Sequence, residues 1–170
     1  FDSRNLLIAN FDSNNNKVQQ KSYPNWDNTG LDDYYLNSFS EFIYDSSNNL
    51  IEHIRYNYDS FDPDYSNSSY KIDWRVSYKY DTDNNLIQED HYKGSFNKDF
   101  SKIQSKQIYI YDLENRLSEK LSYGSDGVLK SKTIYEYNIE SDLIGKICNY
   151  KSGKIEVFVF EYDSKKNVVN

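Results

Sequence analysis

Apolar and polar residues alternate through most of the chain, and short polar segments interrupt this alternation at similar intervals. Before one such segment, Trp74, Val76, Tyr78 and Tyr80 occupy every second position, which is the period of a β-strand. An aliphatic residue follows six positions after the last aromatic residue, and the alternation then resumes. The pattern therefore predicts a strand, a five-residue turn and a second strand. It occurs six times, at Phe11-Asp12 to Lys17-Val18, Tyr44-Asp45 to Leu50-Ile51, Tyr80-Asp81 to Leu86-Ile87, Tyr111-Asp112 to Leu117-Ser118, Tyr137-Asn138 to Leu143-Ile144 and Tyr162-Asp163 to Val168-Val169.

The polar segment between the two strands also has a regular composition. An Asp at the start of a turn can accept a hydrogen bond from the backbone N–H two residues later, forming an Asx-turn. This arrangement is predicted at Asp45, Asp81, Asp112 and Asp163. The fourth turn position of such loops is often left-handed, which Asn tolerates well, and it holds Asn15, Asn48, Asn84 and Asn115. Ser141 and Lys166 stand there in the last two repeats, so those turns are expected to be strained or differently shaped.

Successive hairpins of this kind predict an all-β fold. We expect an antiparallel meander of about six β-hairpin repeats that forms a twisted, coiling open sheet, as a partial shell or roll. No linker-like segment divides the chain, so residues 1–170 are expected to form a single domain.

The alternation also predicts which residues share a face of the sheet. Leu50, Ile54, Tyr56 and Tyr58 are expected on one face, and Leu117, Leu121 and Tyr123 are expected to share a face later in the chain. Around the third turn, the face with Trp74, Val76, Tyr78, Leu86 and Tyr92 should be more buried than the face with Arg75, Ser77 and Lys79.

The C-terminal repeats differ because apolar residues also occupy the face that is polar around Lys79. These residues are Ile108, Ile110, Ile134, Ile144, Val157 and Val159. Strands that are apolar on both faces need cover on both. We therefore expect the sheet to curl over itself or to meet another chain near residues 108–160, which includes possible self-association.

Two of the repeats carry a resemblance to a known family. Tyr78-Lys79-Tyr80-Asp81 followed by Leu86, and Tyr109-Ile110-Tyr111-Asp112 followed by Leu117, resemble the Tyr-Asp repeats, also called Rhs repeats. In outline the likeness covers residues 8–170, although Asn-Asn or Asn-Arg replaces the Gly-Arg that precedes the Leu in the family. The resemblance implies an antiparallel sheet that coils as hairpins are added, an extracellular or cell-surface location in bacteria, and use in the shells of polymorphic toxins. It implies no catalytic residues within the repeats.

Three connections between the first four repeats are longer than a turn requires, spanning Pro24 to Tyr35, Asp59 to Ser69 and Lys93 to Lys102. In a meander these connections emerge along one edge, and long loops on a rigid scaffold commonly bind ligands. Their aromatic residues are the candidate ligand-binding residues: Trp26, Tyr34, Tyr35, Phe61, Tyr65, Phe96 and Phe100. Such rings can stack on sugars or anchor a protein partner. Alternatively, they fold back and cover a thin sheet.

Composition excludes several classes of partner. The formal net charge is -7 and no basic run occurs, so we expect no binding to nucleic acid. No apolar run approaches the length of a membrane span. The 18 Tyr residues supply much of a small apolar fraction, so the sheet is expected to cover itself with rings whose hydroxyls remain wet.

Candidate catalytic and metal-binding residues are few. Asp59, Asp62 and Asp64 lack the spacing of a calcium loop, and we interpret them as a solvated acidic loop. His53 and His91 have no partner motif and are expected on the surface, on the face opposite their Leu. Cys148 is expected to be a packing residue. The sequence thus predicts no enzyme, no metal and no cofactor.

These observations favour a non-enzymatic, secreted or cell-surface repeat module that binds a glycan or a protein through its long inter-repeat loops. The alternative is a structural fragment or companion of a larger Tyr-Asp toxin-shell assembly, in which the sheet is important and the loops are not.

Overall fold

The computed structural model describes residues 6–23, 38–58, 70–94, 102–163 and 165–169. Period-two segments become strands throughout this part of the chain, and no helix occurs in it. The strands are β1 (Leu6–Phe11), β2 (Lys17–Tyr23), β3 (Ser38–Tyr44), β4 (Leu50–Tyr58), β5 (Tyr70–Tyr80), β6 (Leu86–Lys93), β7 (Ile103–Tyr111), β8 (Leu117–Gly124), β9 (Leu129–Tyr137), β10 (Leu143–Tyr150) and β11 (Ile155–Val159). An isolated bridge between Tyr162 and Val168 closes the sixth hairpin.

The eleven strands are hydrogen-bonded in chain order as one antiparallel meander, and the sheet is open. This confirms the predicted all-β meander of hairpin repeats. The strands belong to two compact units: the described residues up to Lys79 together with His91–Ile103, and Tyr80–Asp90 together with those from Gln104 onward. The first unit holds β1 to β4 and most of β5. The second unit holds most of β6, most of β7 and all of β8 to β11.

A β-bulge beside the turn changes which residues share a face. In the second hairpin Tyr44 lies opposite Leu50 while Ile43 lies opposite Glu52, so Ile51 is the extra residue. His53 therefore shares the face of Leu50, and Ile54 lies on the other face. The predicted grouping of Leu50 with Ile54 and Tyr56 is wrong, because an extra residue shifts the alternation by one position.

The same correction applies in the second unit. Tyr111 lies opposite Leu117, and the shift between Ile110 and Tyr111 places Ile110 opposite Glu119. Leu121 and Tyr123 consequently lie on the face opposite Leu117, and not beside it as predicted. The bulge recurs in the first and fifth hairpins, so it is part of the repeat.

Burial around β5 follows the prediction only in part. Val76 is 7% exposed and Lys79 is exposed, whereas Trp74, Tyr78, Arg75 and Ser77 are all half-buried. Tyr92 was expected on the face of Trp74, yet the Arg75 guanidinium lies 5.0 Å from the centre of its ring. Tyr92 therefore shares the face of Arg75. Long polar side chains lying over aromatic rings explain why both faces are similarly covered.

Few side chains are fully buried in the described part of the sheet. The buried apolar residues there are Val76 and Cys148, and the buried polar residues are Ser38 and Asp90. Cys148 is thus a packing residue, as predicted, and its Sγ accepts a 3.7 Å contact from the Thr133 hydroxyl. A sheet that buries so little apolar area depends on its hydrogen-bond network for a defined shape.

Candidate functional site

The seven aromatic residues of the predicted loop site lie outside the described residues. They are Trp26, Tyr34, Tyr35, Phe61, Tyr65, Phe96 and Phe100, and the acidic residues Asp59, Asp62 and Asp64 lie outside as well. Binding through the long loops therefore stays a prediction.

The recurring Asp residues hold the turns. The Asp81 Oδ1 atom accepts hydrogen bonds from the backbone N–H groups of Asp83 (2.9 Å) and Asn85 (2.8 Å), and its Oδ2 atom accepts one from the Asn85 side chain (3.0 Å). The first two bonds recur at Asp12, Asp45, Asp112, Asn138 and Asp163. This confirms the predicted Asx-turns.

The hydrogen bonds donated to these carboxylates stabilise their charged form. Those from Asn85 lower the pKa of Asp81, and those from Asn49 lower the pKa of Asp45. In the fifth turn Asn138 stands at the first position, where the other turns have Asp, and the carboxylate is at the fifth position. The Asn138 amide donates to Asp142 Oδ2 at 3.2 Å. The recurring carboxylates are therefore explained by turn structure and not by acid–base chemistry.

The fourth turn position is left-handed in all six repeats. Asn15, Asn48, Asn84 and Asn115 have φ angles of 63–64°, and Ser141 and Lys166 both have 66°. The expectation of a different shape in the last two turns is wrong. Strain at these two positions remains expected, because neither residue tolerates this conformation as Asn does.

The same position joins neighbouring turns. Asn48 Oδ1 accepts hydrogen bonds from the Asn14 and Asn16 amides, at 3.1 and 3.2 Å. In the second unit, Asn115 accepts from Asn85, Ser141 accepts from Arg116, and Lys166 donates to Glu140 and Asp142. We call these contacts the turn ladder. They explain why Ser and Lys are found at a strained position: each retains a side chain that reaches the preceding turn.

A second ladder is made by four tyrosines that stand directly before the Asp or Asn at the start of a turn. Each hydroxyl donates to the backbone carbonyl that follows the preceding turn. The bonds are Tyr44 to Lys17 (3.1 Å), Tyr111 to Leu86 (3.0 Å), Tyr137 to Leu117 (2.9 Å) and Tyr162 to Leu143 (2.8 Å). Burial raises the pKa of Tyr111 and Tyr137, which keeps both hydroxyls protonated as donors. Tyr at this position therefore binds the neighbouring repeat in these four cases.

His53 is not the surface residue that was predicted. Its ring stacks on Phe42 at 4.2 Å and meets the edge of Trp74 at 4.5 Å, and its buried Nε2 atom has no hydrogen-bond partner in the described residues. Burial, followed by the charges of Lys17 and Arg55, lowers the pKa of His53. A neutral, ring-stacked imidazole is a packing element of the first unit.

Sequence reasoning missed one buried carboxylate in the second unit. Asp90 is 5% exposed, and its Oδ2 atom accepts a hydrogen bond from Gln88 Nε2 at 2.5 Å. Lys106 Nζ lies 3.7 Å from the other oxygen. The local sequence gave no signal for burial, because Gln88 and Asp90 continue the polar side of an ordinary alternation. The Lys106 charge makes Asp90 a paired, structural carboxylate.

An apolar surface crosses the second unit on the face opposite the turn tyrosines. Cross-strand pairing aligns Ile110 with Glu119, Glu119 with Ile134, Ile134 with Ile147, and Ile147 with Val157. We call Ile110, Ile134, Ile147 and Val157 the apolar row. Both ends of the row are exposed, and Glu119, the polar residue within it, pairs with Lys132 at 2.7 Å. Three of the predicted apolar residues, Ile110, Ile134 and Val157, thus share one row with Ile147, which is exposed at its two ends and half-buried at Ile134 and Ile147.

Metal-ligating clusters and membrane-spanning helices are both absent from the side chains and elements that the structure describes. Among them, no group of three or more His, Cys, Asp or Glu side chains could hold a metal ion. The structure, within the same residues, also contains no helix with the length and apolar character needed to cross a membrane.

Comparison with known proteins identifies a similar fold within a much longer chain. Over 95% of its length the chain is similar to part of the crystal structure of TcdB2-TccC3-TEV, with a TM-score of 0.54 and 15% sequence identity, and it spans 9% of that chain. A Bacteroides fragilis protein of unknown function gives a TM-score of 0.39 at 12% identity, with 92% of this chain and 90% of that chain covered. No protein-family model and no curated protein matches the sequence. The likeness to the first structure is one of fold, and it is consistent with the resemblance to Tyr-Asp repeats.

Proposed function

We propose that this chain is a non-enzymatic, protein-binding structural module that contributes a β-sheet to a larger extracellular assembly. The observation that carries the proposal is the apolar row of the second unit, whose end residues Ile110 and Val157 are exposed. Contiguous apolar side chains on a soluble sheet mark protein interaction sites, because leaving them in water is unfavourable.

The hydrogen-bond network supports a structural role. The turn ladder and the tyrosine hydroxyls connect neighbouring repeats within each unit, so the repeat residues are used for joining hairpins. The turn carboxylates are likewise occupied by backbone N–H groups, which leaves them unsuited to general acid–base catalysis.

The likeness of fold supports a place in a larger protein assembly. This chain corresponds to 9% of the chain in TcdB2-TccC3-TEV, where the same fold is a small part of a much longer protein. An extracellular or surface location is proposed from the Tyr-Asp resemblance. The competing function is binding of a glycan or protein by the long loops. Substitutions in the apolar row and in the loops can distinguish the two functions.

The test is to present the intact chain to a protein array and a glycan array beside two variants. The row variant carries Ile110→Thr and Ile134→Thr, since β-branched Thr keeps the strand propensity while making the surface polar. The loop variant carries Trp26→Ala, Phe61→Ala and Phe96→Ala. We expect the row variant to lose at least tenfold in affinity for a protein partner and the loop variant to retain it. Glycan binding that only the loop variant loses would replace this proposal with the competing function.

A further inference from the structure

The imidazole of His53 is enclosed by aromatic rings from both neighbouring strands. On β3 the Phe42 ring stacks on it, with centres 4.2 Å apart and planes at 24°. On β5 the Trp74 ring meets it in an edge-to-face arrangement, at 4.5 Å and 78°. The Nε2 atom is buried, and it has no hydrogen-bond partner in the part of the chain that the structure describes. A proton gained by this ring would lack an acceptor, so the charged form is unfavourable here.

The charged groups that share this face with His53 on the described strands are mainly cations. Lys17 on β2 places its Nζ atom 4.5 Å from the centre of the Phe42 ring. Arg55 lies two positions along β4 on the same face, and its Nε atom is 4.0 Å from the Asp73 carboxylate of β5. An imidazolium gains cation–π attraction from a ring face, but Lys17 already occupies that of Phe42.

The neighbouring glutamates lie on the other face of the sheet, because adjacent residues of a strand alternate between faces. Glu41 of β3 accepts a hydrogen bond there from the Tyr56 hydroxyl at 3.0 Å. Glu52 of β4 is paired there with Arg75. Neither carboxylate is placed to stabilise a charged His53. The face of His53 also carries tyrosines, which are neutral near pH 6 because tyrosine ionises near pH 10: Tyr44 and Tyr78.

We propose that His53 makes the packing of β3, β4 and β5 sensitive to mild acid, and that the gain of a proton on its ring loosens the stack with Phe42 and Trp74. The inference goes beyond the proposed function because it concerns a conformational response of the first unit. A buried imidazole that must be neutral to pack is a means of coupling pH to local structure.

The direction of the response follows from linkage. Burial, followed by the charges of Lys17 and Arg55, lowers the pKa of His53 from its ordinary value of 6.5. Below pH 6.5 the unfolded chain therefore binds more protons than the folded chain. The stabilising contribution of the neutral ring is complete above pH 6.5 and is lost as pH falls to the folded-state pKa. The turn carboxylates titrate in a lower range, since the pKa of Asp81 lies below 3.8.

NMR titration of the imidazole C–H groups in the intact chain measures this property directly. We expect the His53 midpoint to lie below 6.5. Lys17→Gln should move the midpoint upward, because it removes a cation that faces the ring. Lys21→Gln is the matched control, since Lys21 pairs with Phe39 on the opposite face of β2 and should leave the midpoint unchanged.

Hydrogen exchange at pH 7.5 and pH 5.0, corrected for intrinsic exchange rates, measures the structural consequence. In the parent chain, protection of the amides of β3 to β5 should fall about threefold or more, while that of β8 to β10 stays constant. His53→Phe keeps a stacked ring that cannot titrate and should abolish the fall. His91→Gln removes the other histidine of the sequence and should retain it. Circular dichroism and the thermal midpoint check that each variant is folded.

Three results would overturn the proposal. The first is a His53 midpoint at or above 6.5 in the parent chain, a measurement that requires no variant to fold. The others are an equal loss of protection in both units and a loss that persists in His53→Phe, because a general effect of acid would then be responsible. None of these results depends on the apolar row, so failure here is distinguishable from failure of the proposed function.

Discussion

At the residue scale, the fourth turn position meets two requirements at once. The backbone there must be left-handed, which favours Asn or Gly. The side chain must also reach the preceding turn. Asn115 does so because its Oδ1 atom accepts a 2.6 Å hydrogen bond from the Asn85 side-chain amide. Ser141 meets the second requirement only weakly, since its hydroxyl lies 3.4 Å from the Arg116 guanidinium. Sequence alone predicted the first requirement correctly, but the second depends on how neighbouring hairpins align.

Exchange of residues between two turns tests the cost of the left-handed conformation. Ser141→Asn should raise the free energy of unfolding by about 0.5 to 1 kcal/mol, because Asn tolerates a positive φ angle better than Ser. Asn115→Ser should lower it by a similar amount. Urea denaturation monitored by Tyr fluorescence measures both changes. Equal midpoints for parent and both variants would show that the turns carry no such strain.

The turn carboxylates predict a loss of stability in acid. Hydrogen bonds from Asn85 lower the pKa of Asp81 below the ordinary value of 3.8, so the folded state favours the ionised form. This contribution is complete above the unfolded-state pKa and is lost as pH falls below it. Asp81→Asn should retain the turn, as Asn138 does, and should show a smaller fall of Tm between pH 5 and pH 2.

A matched control for this titration lies in the same turn. Asp83 contributes its backbone N–H to the Asp81 carboxylate, and its own side chain is exposed. Asp83→Asn should therefore follow the acid profile of the parent more closely than Asp81→Asn. If the two variants had the same profile, the turn carboxylate would not be the group responsible.

At the scale of the elements, the positions of the strands and turns could be predicted from the sequence. Which residues share a face of the sheet could not be predicted. Alternation before and after each turn located the strands, and Asp with Asn located the turns. The bulge is not visible in that pattern, because Leu50-Ile51 and Leu117-Ser118 look like ordinary strand starts. Its extra residue reverses every later assignment in the strand, which is why His53 and Leu121 were placed on the wrong face.

Packing of one hairpin on the next can be tested through the tyrosine ladder. Tyr137→Phe removes the hydroxyl that donates to the Leu117 carbonyl at 2.9 Å, which should lower the free energy of unfolding by about 1 kcal/mol. Phe11→Tyr is the matched control, since Phe11 stands at the equivalent position of the first repeat and no earlier described strand supplies a carbonyl. Chemical denaturation compares the two. A gain from Phe11→Tyr as large as the loss from Tyr137→Phe would argue against a specific inter-repeat bond.

At the scale of the whole molecule, the sequence predicted an antiparallel meander and an apolar C-terminal sheet, and both are present. It could not predict that the apolar residues align as one row, because that alignment depends on the register of β7 to β11 and on their bulges. The candidate ligand-binding residues were chosen on the three long connections, because the lengths of these connections depart from the repeat. The C-terminal strands were predicted to need cover near residues 108–160, but their residues were not chosen as ligand-binding residues because they follow the repeat.

Replacement of the second long connection separates the loops from the sheet. Tyr58 pairs with Tyr70 across residues 59–69, while Tyr123 pairs with Leu129 across the short segment Gly124–Val128. Both connections close on a cross-strand pair, so the five residues Gly-Ser-Asp-Gly-Val, which join the pair Tyr123 and Leu129, are a suitable replacement for residues 59–69. We expect the thermal midpoint to stay within about 4 °C of the parent, within the range of a single weak interaction, and binding through the apolar row to persist. A shortened chain that unfolds would show that Phe61 and Tyr65 are needed to cover the sheet, and one that folds but loses its ligand would return the binding site to the loops.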